Sequence, residues 1–208
     1  MRKFYKKGPM AKKNISIDDQ DFIVRCILGN DEERERLAKA CLLDVRKIVA
    51  FGYGNKPDMD DVAQKALIAI FRDLNLLKNP GTFRIWMHRI TYRVIYRHSS
   101  YLRKLKALFI EDAGIPDEMS LHSYTPISTI LHKEAFDRTS KHLEKIKTKK
   151  RMAIVLSLFM EHIDSEIATI MGCSTKTAKR RIQAGKRELL AAIQKDQDLK
   201  EILEEVTK

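Results

Sequence analysis

The chain has 208 residues, 44% hydrophobic and 33% charged, with a formal net charge of +12 and a pI near 9.6. Such a mixture can bury cores and excludes disorder throughout. Gly (8) and Pro (5) are scarce, no long alternating strand pattern occurs, and no apolar run approaches the roughly 18 residues that span a bilayer. An all-helical, cytoplasmic protein without a membrane span is expected, and its excess cations point to a polyanion such as nucleic acid.

Residues 1–13 are a basic lead lacking the apolar stretch of a signal peptide. From Asp18 the pattern turns helical, with Phe22, Ile23, Cys26 and Ile27 spaced by three and four. Asn30 and Asp31 can cap a second helix whose apolar face is Leu37, Cys41, Val45, Ile48 and Val49. Gly52-Tyr53-Gly54-Asn55 is expected to break it. Pro57 and the acids Asp58, Asp60 and Asp61 then open a third helix, where negative charge suits the dipole. Its buried face is Val62, Ala66, Ile70 and Leu74. The loop Lys78–Gly81 leads to a fourth helix over about 82–104, with Phe83, Trp86, Met87, Ile90 and Val94 toward the core.

Residues 107–129 carry Gly114, Pro116 and Pro126 among acids and serines without a clear period, and read as a linker. A second helical block follows, with apolar faces at Leu131, Ala135 and Phe136, then Ala153, Leu156, Phe159 and Met160, then Ile163, Ile167 and Ile170. A clear helix covers about 175–194, and a short amphipathic tail (Leu199, Ile202, Leu203, Val206) closes the chain. The expected organisation is a basic lead (1–13), a helical domain (14–106), a flexible linker (107–129), a second helical domain (130–194) and a tail (195–208).

The strongest local signal is IDSEIATIMGCSTKTAKRRIQAGKR at 163–187. Asp164 can cap a short helix, Gly172 permits a tight turn, and Ser174 or Thr175 caps the next helix. Ala178 and Ile182 give that helix one apolar edge. Opposite stand Lys176, Lys179, Arg180, Gln183, Lys186 and Arg187, and no acid occurs from Gly172 to Arg187. Solvated helices usually mix charge signs through i, i+4 pairs. A cationic, acid-free face on a helix-turn-helix instead suits the major groove, where Lys and Arg meet phosphates and Arg, Lys or Gln reach base edges.

In the fourth helix Arg89, Arg93 and Arg97 repeat at i+4. Tyr92 and Tyr96 flank this stripe. They can stack on unpaired bases while the arginines track phosphates, or pack on the core with their hydroxyls outward. The cluster Asp58, Asp60, Asp61 and Gln64 either serves the helix dipole or meets a cationic protein partner. No nucleophile, nucleotide loop or metal-ligand set accompanies these carboxylates. The six histidines are scattered without ligand spacing, and Cys26, Cys41 and Cys173 suggest neither a disulfide framework nor a zinc site. No cofactor and no catalytic activity are expected.

Two segments carry a family resemblance. DDVAQKALIAIFRDL with FRIWMHRITYRVIYRH resembles region 2 of ECF-type (extracytoplasmic-function) bacterial sigma factors, through Asp61, Gln64, Phe83, Arg84, Trp86, Arg89 and Ile90. AIVLSLFMEHIDSEIATIMGCSTKTAKRRIQAGKREL resembles region 4, through Glu166, Ile167, Ala168, Gly172, Ser174, Thr177, Lys179 and Arg187. The resemblance implies a sigma factor that carries core RNA polymerase to promoters. Asp58, Asp60, Asp61 and Gln64 would dock on the β′ clamp helices, and the second domain would meet the β flap. Lys78, Asn79, Thr82, Arg89, Tyr92, Arg93, Tyr96 and Arg97 would capture the melted −10 element. Ser174, Thr175, Lys176, Lys179, Arg180, Gln183, Lys186 and Arg187 would read the −35 element. The linker, acidic at 111, 112, 117 and 118, would thread the polymerase channels, and an anti-sigma factor is the regulator the family implies. Four positions depart from the usual pattern: Lys65, Arg93, Ala184 and Gly185. A stand-alone helix-turn-helix regulator would account for the second block alone, and a metal-dependent nuclease only for the carboxylates.

Overall fold

The computed structural model describes residues 17–54, 56–108 and 130–206; the basic lead and the linker with its acids lie outside the described residues. Every regular element described is helical. The first, α1 (Gln20–Ile27), is capped by Asp19, whose carboxylate accepts from the backbone N–H groups of Asp21 and Phe22. Asn30 does the same for α2 (Asp31–Tyr53) through the Glu33 N–H at 3.1 Å. That second helix ends within the expected stretch: it runs through Gly52 to Tyr53 and stops at Gly54, whose φ of +107° needs glycine. A Cβ at Gly52 would lie 2.2 Å from the Met152 sulfur, so the missing side chain lets a distant helix approach.

Helix α3 (Met59–Asp73) leads through two 3₁₀ turns, Leu74–Leu76 and Pro80–Thr82, into α4 (Phe83–Leu108). The face expected of α3 is buried at Val62, Ala66 and Ile70, followed by Leu74. These residues meet Leu37, Cys41, Val45 and Ile48 of α2 and Met87 of α4. Burial pushes the thiols of Cys26 and Cys41 up to about 11 and about 12, so both remain protonated, inert core residues at neutral pH.

The second block comprises α5 (Ile130–Lys145), α6 (Thr148–Leu158), α7 (Asp164–Met171), α8 (Thr175–Ile193) and α9 (Gln197–Val206). Two apolar positions read as buried are not: Ile163 is exposed, and Phe159 leaves its own block to stack on Phe51 of α2 at 4.2 Å between ring centres. The tail helix α9 packs on α5. Leu199 and Ile202 are buried, and Asp196 accepts from His142 Nε2 at 2.6 Å and from Arg138 at 3.3 Å.

The two blocks share one hydrophobic core, a continuous cluster from Phe22 to Ile182. Its polar fastener is Arg151 of α6, 5% exposed. The guanidinium donates to the carbonyls of Gly52 (2.9 Å) and Tyr53 (3.1 Å) at the end of α2, and to Leu143 (3.5 Å). Carbonyls in the last turn of a helix have no intrahelical donor, and a buried cation there answers both the orphan groups and the dipole.

Candidate polymerase and nucleic-acid interfaces

The acidic turn divides into two pairs. Asp58 is held inward: Tyr53 donates its hydroxyl to the carboxylate at 2.8 Å, and His98 Nε2 lies 2.6 Å from Oδ2. Burial would raise the Asp58 carboxyl, but the bonds from His98 and Tyr53 outweigh it and keep the group below its usual range. Asp60 pairs with Arg46 of α2 at 2.8 Å. Asp61 and Gln64 stand exposed on the first turns of α3, with Lys65, also exposed, one turn from Asp61. The surface open to a cationic partner is therefore centred on Asp61 and Gln64.

The loop before α4 is built by its own side chains. Asn79 accepts from the Gly81 N–H at 3.0 Å, while Thr82 donates its hydroxyl to the Asn79 carbonyl at 2.8 Å. Lys78, Asn79 and Thr82 remain exposed. Along α4, Arg93 and Arg97 face solvent and Arg89 is half-buried. Partial burial, then repulsion from Arg89 and Arg97, holds Arg93 below its ordinary value, the mark of a crowded cationic stripe that an anion would relieve.

The tyrosines beside that stripe are covered. Tyr92 is 7% exposed and stacks with Tyr96 at 6.0 Å. Burial raises its phenol, with Arg181 and Cys173 close enough to act on it electrostatically. Over the Tyr96 ring, 5.4 Å from its centre, sits Lys149 of α6. The base-stacking face read from the sequence is thus turned into the contact between the blocks.

The helix-turn-helix is open on its cationic side. Gly172 closes α7 in the left-handed region (φ 60°), and its N–H reaches the Ala168 and Thr169 carbonyls. Ser174 caps α8 through the Thr177 N–H at 3.2 Å. Cap duty at the start of α7 falls to Glu166, which accepts from the Ile163 N–H at 3.2 Å, and not to Asp164. Ser174, Thr175, Lys176, Lys179, Arg180, Gln183 and Arg187 are exposed, with Lys186 half-buried. Ala178, Ile182, Gly185 and Leu189 are buried on the opposite edge. Glycine at 185 has a packing reason: an added Cβ would lie 2.6 Å from the Ile154 side chain and 3.2 Å from the Lys150 carbonyl.

The sequence family described as sigma-70 region 2 matches residues 37–107, from α2 through α4. The ECF RNA polymerase sigma-E factor of Escherichia coli (strain K12) is 28% identical over 175 residues, covering 80% of this chain and 89% of that protein. The chain is an ECF-type sigma factor. The RNA polymerase sigma factor CnrH of Cupriavidus metallidurans is 26% identical over 148 residues, covering 68% of this chain and 76% of CnrH. The solved structure of CnrH in complex with the cytosolic domain of CnrY shares the fold of this sigma factor, with a TM-score of 0.59 at 20% identity, covering 87% of this chain and 99% of CnrH. As an RNA polymerase sigma factor, the protein directs transcription initiation.

Sequence reading missed the residues that join the blocks. His88, 0% exposed, places Nδ1 2.6 Å from Nε2 of His162, 7% exposed. His162 Nδ1 lies 2.8 Å from Glu166, and His88 Nε2 lies 3.5 Å from Asp44. Neither histidine has ligand spacing in the chain, and no local pattern pairs positions so far apart. Among the described residues, no group of three or more His, Cys, Asp or Glu is placed to hold a metal, and no helix is long and apolar enough to cross a membrane.

Proposed function

We propose that this sigma factor, without catalysis of its own, divides promoter recognition between its blocks in the cytoplasm: Asp61 and Gln64 dock on the β′ clamp helices of core polymerase, the Lys78–Thr82 loop and α4 capture the melted −10 element, and α8 reads the −35 element. The observation that carries this reading is the face of α8, cationic, exposed and acid-free through Arg187, with its apolar edge seated on α6. Asp58 serves as the brace of the docking turn, and Asp60 flanks it. An anti-sigma factor is the proposed regulator, supported by the assembly of the similar CnrH with CnrY. The deciding experiment is run-off transcription with and without core enzyme. Weak promoter binding alone and specific transcripts with core are expected; tight, specific binding of the free chain without transcription would mark a stand-alone regulator.

Two substitutions probe the division. Asp61→Ala is expected to weaken core binding about tenfold, or roughly 1.4 kcal/mol, with the helical circular dichroism unchanged; undiminished affinity would remove the docking role. Arg180→Ala should cost about 1–3 kcal/mol against the cognate −35 sequence if it bridges a base edge. An equal loss on every sequence would reassign it to a phosphate. Duplex binding should also weaken with salt, at a log–log slope near −0.9 per phosphate neutralised.

A further inference from the structure

The line Asp44–His88–His162–Glu166 crosses the contact between α2, α4 and α7. The 2.6 Å gap between the rings accommodates one hydrogen and no more. On its outer side His162 faces Glu166 through Nδ1 at 2.8 Å; the outer Nε2 of His88, 3.5 Å from Asp44, is buried without a hydrogen-bond partner. Arg84 acts electrostatically on Asp44, His88 and Glu166. Hydrogens on both facing nitrogens set N–H against N–H inside a buried contact.

The same contact hides Tyr92 and covers Tyr96. We infer that the His88–His162 pair is an acid-sensitive latch: it holds the two blocks in a closed state that masks the base-stacking face of α4, and protonation of both facing nitrogens releases it. The masking half rests on the proposed −10 role of α4; the latch itself does not.

The groups facing the pair are Asp44 and, beyond it, Lys47 on α2, Arg84 on α4 and Glu166 on α7. Burial is the largest influence on His88 and holds it below the ordinary 6.5, Asp44 opposing and His162 reinforcing the effect. For a base depressed in this way the closed packing is at full strength above the ordinary value. It weakens as pH falls through the depressed one.

The test follows the full chain by small-angle X-ray scattering from pH about 8 to about 5, where histidines titrate, with circular dichroism at each point. The wild type should expand on acidification while its helix content stays constant. His88→Leu with His162→Leu, which replaces the imidazole contact by an apolar one, should keep the same dimensions throughout. If that pair does not fold, His162→Gln, whose amide can turn either face to His88, should give the same flat response. An unchanging wild type overturns the latch. So does expansion of the variant at the wild-type pH, which would place the switch outside this pair, and so does expansion accompanied by helix loss. A fluorescent single-stranded oligonucleotide separates the two layers. Tighter binding on expansion supports masking, whereas expansion without it supports the latch and removes the −10 role of α4.

Discussion

Replacing Arg151 with Ala is expected to lower the unfolding free energy by about 2–4 kcal/mol, read from denaturant titration of the full chain. The guanidinium is buried, and the carbonyls of Gly52 and Tyr53 accept from it at 2.9 and 3.1 Å. Truncation leaves these carbonyls without their donor in a dry contact, which costs more than the net value of the bonds themselves. Arg151→Lys should recover only part of the loss, because an ammonium cannot span carbonyls of two helices with a planar fork. A loss below about 0.5 kcal/mol, the range of an ordinary surface change, would mean that the blocks are not fastened at this point.

A second large effect is expected at Gly185. Helix propensity alone favours a longer side chain there by up to about 1 kcal/mol. The crossing of α8 over α6 opposes it, since even a Cβ would meet Ile154 at 2.6 Å and the Lys150 backbone at 3.2 Å. Gly185→Ala should therefore be destabilising in spite of propensity, and Gly185→Leu should cost about 3 kcal/mol through overpacking. The same shift tilts α8, so promoter binding should fall with stability, whereas Arg187→Ala should weaken binding and leave stability nearly unchanged. A stabilised Gly185→Ala would show that α8 does not sit this close to α6.

The helices of the first block were legible because each repeats its apolar residues at three and four. The turn into α8 was legible because Gly172 and Ser174 are placed where backbone geometry and capping need them. The stretch Gly52–Asn55 does end α2, but the separate roles of Gly52 and Gly54 were not legible. A glycine that ends a helix and one that admits a neighbouring helix look alike until Met152 is seen above Gly52. Tyr92 could not be assigned from its spacing, because the element that covers it lies in the other block. Asp58 carried the same charge as Asp61, but only the fold brings His98 and Tyr53 against it. His88, Arg151 and His162 gave no signal of joining the blocks, because the bonds that do so reach partners 74 to 99 residues away. Local periodicity describes the helices; it is silent on which faces two blocks turn toward each other.

The core shared by the two blocks has a thermodynamic consequence for any partner that needs them apart. Such a partner binds only the separated fraction, so its apparent affinity is reduced by that fraction. Each ~1.4 kcal/mol of closure contributed by contacts such as Phe51 on Phe159 or Arg151 on the end of α2 removes a factor of about ten. A ligand that prefers the closed arrangement needs no comparable strength, because the molecule already favours the form it binds. If core polymerase is such a partner, its occupancy by this chain depends on that intramolecular equilibrium as well as on the docking surface proposed at Asp61 and Gln64.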